Sequence, residues 1–141
     1  MLSVLSELRL GDNSILDKQP DLRVLSLGAG VQSSTLLYKV IEGDIKMVDA
    51  VIFADTGNEP KEVYDYLDHL KTLFQNFVNF YIVSHSNIID DTFVKNYIKM
   101  PVYGKDSFGK KTLGQRQCTV DYKINPINKK IRELLNVKSL R

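Results

Sequence analysis

Three short stretches of this chain combine small, hydroxyl-bearing and charged residues in a way that suits the binding of phosphate. They are Ser26-Leu-Gly-Ala-Gly-Val-Gln-Ser-Ser34, Asp55-Thr-Gly57 and Arg116-Gln-Cys-Thr-Val-Asp-Tyr-Lys123. Backbone N–H groups in a glycine-rich turn can hold phosphate oxygens. In the third stretch, Arg116 can form a fork of hydrogen bonds to phosphate or sulfate, and Lys123 supplies a point charge. The chemistry to consider is therefore the binding or cleavage of a phosphorylated small molecule.

The first stretch is flanked by the patterns of a strand and a helix. Residues 24–27 form an apolar run typical of a buried parallel strand, and apolar residues recur at helical spacing over 36–41. The glycines between them allow a tight turn, and Ser33 and Ser34 are good N-cap residues. The pattern predicts a strand, a loop and a helix whose N-terminus faces a ligand. A glycine-rich turn without a ligand is the alternative.

The form of this loop distinguishes it from two common phosphate-binding motifs. A Rossmann fingerprint requires a third glycine where this chain has Ser33, and a Walker A loop requires a lysine that does not follow Gly28 or Gly30 at the right spacing. The sequence therefore favours neither of these two motifs.

The following segments predict a parallel sheet. A second apolar strand over 49–54 completes a strand–helix–strand unit, and Pro60 opens an amphipathic helix that precedes a third strand over 78–84. Because ligands bind beyond the carboxyl ends of parallel strands, we expect residues 55–57 to lie beside the first stretch. Asp55 also suits a simple turn.

The last third of the chain predicts a helix over 88–99, a long polar loop and a final helix that begins at Pro126. Residues 101–115 are interpreted as a mobile, lid-like loop, in which Lys111 could meet phosphates. A solvated loop without a ligand is equally compatible with this segment. Two interpretations are open for Cys118, which is followed by Thr119. The two residues are a small buried pair, or Cys118 is a reactive thiol.

The length and composition of the chain limit the classes of protein to which it can belong. A length of 141 residues with 43% hydrophobic and 26% charged residues predicts one globular domain, with residues 1–22 as an N-terminal extension. The net charge of +2 is too small to argue for nucleic acid. No apolar run is long enough for a membrane helix, and no signal peptide is evident. The single cysteine fits a reducing compartment, so we expect a cytoplasmic protein without a membrane partner.

The three stretches together resemble a known family. Residues 28–33 are similar to the PP-loop, S-G-G-x-D-S, of the adenine nucleotide α-hydrolase superfamily, with Gly28 in place of the first Ser and Gln32 in place of Asp. Residues 53–57 resemble the F-x-D-T-G motif of the phosphoadenosine phosphosulfate reductase family. The segment 116–127 resembles that family's R-Q-C-T-x-x-Y-K-I-x-P-I pattern, which lies over the nucleotide site. The resemblance covers residues 23 to about 135, in family order.

This resemblance implies an α/β fold with three layers, α/β/α, around a twisted and mainly parallel sheet. It implies cleavage at the α-phosphate of ATP or a related adenine nucleotide, with Mg²⁺ as a companion ion and no metal site assigned to named residues. It assigns nucleotide binding to Ser26, Leu27, Gly28, Ala29, Gly30, Gln32, Ser33, Ser34, Asp55, Thr56 and Gly57. It assigns catalysis to Ser33, Arg116 and Lys123, and substrate contact to Lys111, Cys118 and Thr119.

Three functions compete at this point. The first is an ATP pyrophosphatase or adenylyl-transfer enzyme. The second is reduction of an adenylyl sulfate with an external thiol donor, because the E-C-G-L-H segment that carries the nucleophilic Cys of the resembling reductases is absent from this sequence. The third is a nucleotide-binding module without turnover, which Gln32 favours because an amide is a poorer Mg²⁺ ligand than a carboxylate. Assembly into a homo-oligomer and contact with nucleic acid are left open.

Overall fold

The computed structural model describes residues 19–94, 103–105, 107–113 and 117–139. Its helices and strands, in chain order, are β1 (Val24–Leu27), α1 (Val31–Glu42), β2 (Ala50–Asp55), α2 (Lys61–Phe74), β3 (Asn79–Ser84), α3 (Ile88–Phe93), β4 (Tyr103–Lys105), β5 (Lys111–Leu113), α4 (Gln117–Thr119), a π-helical turn (Val120–Ile124) and α5 (Asn125–Leu135). Most of the predicted N-terminal extension lies outside the described residues, and so does Arg116.

The first three strands form a parallel sheet in the order β1-β2-β3. The middle strand is continuously buried from Ala50 to Ala54, as its unbroken apolar run predicts. Phe53 lies opposite Leu27 on one side and Ile82 on the other. Because the strands are parallel, their carboxyl ends meet at one edge of the sheet, which we call the rim.

Helices cover the sheet. Apolar residues of α1 and α2 pack with Val51 and Phe53 of β2 in the main core cluster. The alternating residues Ile52 and Ala54 point to the other face and are also buried, and β2 and β3 contact α5. The fold is α/β with a parallel three-stranded sheet, compatible with a three-layer α/β/α arrangement.

Helix α1 begins earlier than the sequence predicts. Its N-cap is Gly30 and its first residue is Val31, so Ser33 and Ser34 lie within the first turn. The prediction that these two serines cap the helix is wrong, because the extended backbone of Gly30 takes the cap position. The helix ends at Gly43, whose φ of 88° is the left-handed conformation expected of a C-terminal glycine.

The C-terminal helical segment also begins earlier than predicted. Helix α4, the π-helical turn and α5 follow one another from Gln117, whereas the sequence predicts a helix start at Pro126. In the π-helical turn the N–H of Asn125 donates to the carbonyl of Val120, five residues back. Pro126 has no N–H and its ring conflicts with a carbonyl four residues earlier, so a wider turn suits the residues before it.

Two further segments differ from the predicted loop and helix. Within the range 101–115, β4 and β5 pair as antiparallel strands with Gly104 opposite Thr112. The described part of the predicted lid is therefore a short hairpin, and its mobility stays a prediction. The predicted helix over 88–99 is observed as α3 up to Phe93, and residues 95–100 lie outside the described ones.

Candidate functional site

The loop after β1, together with the first turn of α1, is called the first loop and comprises residues 28–33. The N–H of Gly28 donates to Ser33 Oγ at 3.1 Å, and this Oγ donates to the carbonyl of Gly30 at 3.2 Å. Ala29 between them has a φ of 53°, which is unusual for a residue with a side chain. The hydroxyl of Ser33, in the first turn of α1, therefore links the backbone of Gly28 to that of Gly30 and stabilises the turn.

An open pocket of about 660 Å³ lies in front of the first loop. The described residues that line it all belong to β1, the first loop and α1: Ser26, Gly28, Gly30, Val31, Gln32, Ser33 and Leu36. Its volume is within the range of small-molecule sites, which is about 300–1,000 Å³. The structure thus brings most of the predicted binding residues of the first stretch to one cavity.

The N-terminus of α1 makes this pocket suitable for an anion. The hydrogen bond from the N–H of Ser34 to the carbonyl of Gly30 opens the helix, so the preceding N–H groups have no acceptor within the helix. No acidic residue lies in the first turn to neutralise the positive end of the helix dipole. The start of α1 therefore offers N–H donors and a positive partial charge beside this pocket.

Two of the predicted nucleotide-binding residues have buried side chains that do not face the pocket. Leu27 is a core residue with 2% of its surface exposed. The side chain of Ser34 is also buried, and its Oγ has no hydrogen-bond partner among the described residues. Neither side chain lines the pocket, so only the backbone of these two residues can serve the first loop.

The loop after β2, residues 55–59, is called the second loop, and its polar groups bond to one another. Asp55 Oδ1 accepts from the N–H of Gly57 at 2.7 Å and from the hydroxyl of Tyr64 at 2.8 Å. Thr56 Oγ1 donates to Glu59 Oε1 at 3.0 Å. The hydrogen bond to Asp55, followed by burial, raises the pKa of Tyr64 above its ordinary value.

Asn87 joins the second loop to α3 and was not found by sequence analysis. Its Nδ2 donates to the carbonyl of Gly57 at 2.8 Å, and its Oδ1 caps α3 by accepting from the N–H of Ile89 at 2.8 Å. The N–H of Ile88 donates to the carbonyl of Thr56 at 3.0 Å. An Asn directly before an apolar pair and two aspartates is an N-cap signal, and this signal could have indicated the residue.

The third stretch is attached at the end of β3. Tyr122 is fully buried, donates its hydroxyl to Asp91 and meets the ring of His85 edge-on, with 5.6 Å between the ring centres. Lys123 and Thr119 are exposed, and Cys118 is half-buried and not in a disulfide.

The predicted contacts of the third stretch with the pocket lie partly outside the description. Arg116 falls among the residues that are not described, so its catalytic role stays a prediction. Lys111 is exposed in β5, opposite Lys105. Cys118, Thr119, Lys111 and Lys123 do not line the pocket of the first loop.

The described residues hold no cluster of metal-ligating side chains. They contain no group of three or more His, Cys, Asp and Glu side chains that could hold a metal ion. The described lining of the pocket carries no carboxylate, and Gln32 offers only an amide. If Mg²⁺ is used, it therefore arrives with the phosphates of the nucleotide, as this ion often does.

No protein-family model matches this sequence, and no curated protein is significantly similar to it. The family resemblance of the three stretches therefore stays a prediction. Over the residues that the structure describes, no helix combines the length and the apolar character needed to cross a membrane.

Proposed function

We propose that the first loop binds the phosphate chain of an adenine nucleotide, and that the protein is a PP-loop enzyme that cleaves ATP at its α-phosphate. The observation that carries the proposal is the pocket of about 660 Å³ at the N-terminus of α1, with Gly28, Gly30 and Ser33 in its lining. A 12-residue helix directs its first N–H groups and the positive end of its dipole at this space.

The fold supports the same proposal. The first loop follows β1 and the second follows β2, at the carboxyl ends of neighbouring parallel strands, where ligands bind in open α/β sheets. The order β1-β2-β3 is compatible with the architecture of the adenine nucleotide α-hydrolases, which we include in the proposal. In this proposal, the second loop lies beside the adenosine part of the nucleotide and stabilises the rim.

The proposed reaction is a displacement at phosphorus. An acceptor oxygen forms a bond to the α-phosphorus, the bond from this phosphorus to the bridging oxygen breaks, and pyrophosphate leaves with the electron pair. The first loop holds the phosphates that leave and keeps the attack in line. Arg116 and Lys123 offset the charge that grows on the phosphate oxygens, if the third stretch reaches them as the resemblance implies.

A second candidate is a nucleotide-binding module without turnover. It is favoured by the absence of any carboxylate from the described lining of the pocket and by the amide of Gln32 at its mouth. Such a lining gives no first ligand for a metal ion and no general base. Binding without products distinguishes this candidate from the enzyme.

The first test is calorimetric titration of the protein with ATP, ADP and AMP. Ser33→Ala removes both hydrogen bonds that fasten the first loop, so we expect the Kd for ATP to rise about tenfold, equivalent to about 1.4 kcal/mol. Thr35→Ala is the matched control, because Thr35 also donates its hydroxyl to a backbone carbonyl of the same helix, at 2.8 Å from Val31 O, and does not line the pocket. Equal affinity of all three proteins would contradict the proposal.

The second test identifies the products. Incubation with ATP and Mg²⁺ should release AMP, or an adenylylated acceptor, together with pyrophosphate. ADP and phosphate as products would count against cleavage at the α-phosphate. Sulfite released from an adenylyl sulfate in the presence of a thiol would instead support the reductase alternative, and tight binding without any product would support the binding module.

A further inference from the structure

Helix α3 is joined to two of the three stretches. At its start, Asn87 holds the carbonyl of Gly57 in the second loop. One turn later, Asp91 accepts the hydroxyl of Tyr122 from the third stretch. The helix is six residues long and lies next to β3, so it forms a short link between stretches that are far apart in sequence.

Asp91 is unusual because it is a carboxylate with 5% of its surface exposed. An isolated buried carboxylate costs several kcal/mol, which hydrogen bonds must offset. Asp91 accepts from two hydroxyls, those of Ser86 and Tyr122. A buried polar group of this kind adds little to stability compared with an apolar residue of the same size, but its bonds fix one arrangement of the groups around it.

Tyr122 is the residue of the third stretch that bonds to Asp91. It is completely buried within the π-helical turn, while Lys123 next to it is exposed. The extra residue of a π-helical turn changes which side chains point inward, and such turns are frequent at functional sites. In this turn Tyr122 is an inward residue, and Lys123 beside it is an outward one.

We propose that Asp91 and Tyr122 are positioning residues, whose hydrogen bond fixes residues 117–123 at the end of β3 so that Lys123 acts on a nucleotide held by the first loop. The proposal rests on the proposed function for its catalytic part. Its geometric part stands on the buried Asp91–Tyr122 pair and on the link from Asn87 to Gly57.

The chain's single cysteine offers a direct readout of this geometry. Cys118 lies four residues before Tyr122 and is half-buried, so a soluble aromatic disulfide should react with it slowly in the native protein. Tyr122→Phe and Asp91→Asn each remove or weaken the bond while keeping the size of the side chain. We expect both variants to react about tenfold faster at Cys118, as a local opening that becomes more favourable by about 1.4 kcal/mol would produce.

Two control variants separate this effect from a general loss of stability. Tyr81→Phe removes a hydroxyl from a half-buried tyrosine of β3 whose ring lies under Lys130. Val78→Ala removes two methyl groups from the main core cluster, whose members named among the described residues include none from α3. Both controls should leave the reactivity of Cys118 close to that of the unsubstituted protein. If Cys118 reacts at the same rate in all five proteins, the proposal is overturned.

Kinetics test the catalytic part. Because the first loop holds the phosphates, Tyr122→Phe and Asp91→Asn should lower kcat about tenfold while the Kd for ATP changes by less than about threefold. Equal losses in kcat and in affinity would indicate a merely structural role and overturn the positioning proposal. The unsubstituted protein could bind no nucleotide while Cys118 still reacts faster in both variants. That result would contradict the proposed function and would support the anchoring of the third stretch by Asp91 and Tyr122.

Discussion

The first and second loops follow neighbouring strands at the same rim, yet their hydrogen bonds go to different places. In the first loop, Ser33 is the internal fastener, and the N–H groups at the start of α1 face an open pocket. In the second loop, Asp55 and Thr56 bond within the loop, and Asn87 holds Gly57 from outside. The first loop leaves the N–H groups at the start of α1 without acceptors inside the helix, whereas the second loop uses its polar groups on itself.

This difference shows that polar residue types alone do not identify a binding loop. Asp55-Thr-Gly57 has the composition of a ligand-binding motif, but Asp55 Oδ1 and Thr56 Oγ1 are already hydrogen-bonded inside the protein. Its nucleotide contacts stay a prediction, and the geometry favours a supporting role. The first loop has fewer distinctive side chains, and the groups proposed to bind phosphate are its backbone N–H groups.

The largest expected effect comes from comparing one glycine in each loop. Gly57 has a φ of 76°, and a Cβ there would lie 3.0 Å from the Cα of Asn87, so Gly57→Ala combines backbone strain with a contact that is too short. We expect the free energy of unfolding to fall by about 2–4 kcal/mol. Denaturation with urea, followed by circular dichroism, measures this loss.

Gly30→Ala is the counterpart in the first loop. A Cβ at Gly30 meets no atom within 4 Å and its φ is −90°, so the cost in stability is at most about 1 kcal/mol, the usual difference for a changed N-cap. The added methyl group narrows the approach to the pocket, and we expect the affinity for ATP to fall about tenfold. Equal losses of stability in the two variants would remove the distinction between the loops.

The next effect concerns the tie between the second loop and α3. Asn87→Ala removes both the cap of α3 and the donor to Gly57, and should cost about 1–2 kcal/mol of unfolding free energy. Asn87→Asp keeps an acceptor for the N–H of Ile89 but no longer donates to the carbonyl of Gly57. We therefore expect Asn87→Asp to lose less than Asn87→Ala in the same urea titration. If Asn87→Ala is as stable as the unsubstituted protein, the second loop does not depend on this tie.

The strands and the rim could be predicted from the sequence because they depend on local patterns. The strands predicted over 24–27, 49–54 and 78–84 match the three parallel strands to within one or two residues. The hydrogen bonds of the second loop could not be predicted in the same way. Asn87 lies 30 residues after Gly57, and Tyr122 lies 31 residues after Asp91, so no local spacing encodes either pair.

The starts of α1 and of the C-terminal helical segment were also missed, for a different reason. Serine and proline are common at helix starts, but each also fits inside or near the first turn when the backbone before it takes the cap position. At Ser33 the hydroxyl instead bonds back into the loop, and at Pro126 the wider π-helical turn accommodates the ring.

The smallest expected effect is the contribution of the Tyr64 hydroxyl to the stability of the second loop, and this contribution depends on pH. Tyr64→Phe deletes the hydroxyl that donates to Asp55, and should lower the free energy of unfolding by about 0.5–1 kcal/mol at neutral pH. Because that hydrogen bond raises the pKa of Tyr64 above 10.0, the protonated hydroxyl is favoured in the folded state. Its contribution is therefore complete below pH 10.0 and is lost as the pH rises through the raised pKa of the folded protein.

The measurement is the difference in unfolding free energy between the unsubstituted protein and Tyr64→Phe across alkaline pH, together with the absorbance of tyrosinate. The difference should stay constant below pH 10.0 and shrink above it, and one tyrosine that titrates above pH 10.0 should be missing from the variant's absorbance curve. ATP affinity should change by less than about threefold, because Tyr64 supports the second loop and does not line the pocket of the first. A large loss of affinity in Tyr64→Phe would instead mean that the second loop meets the nucleotide directly, and that the two loops share the binding work.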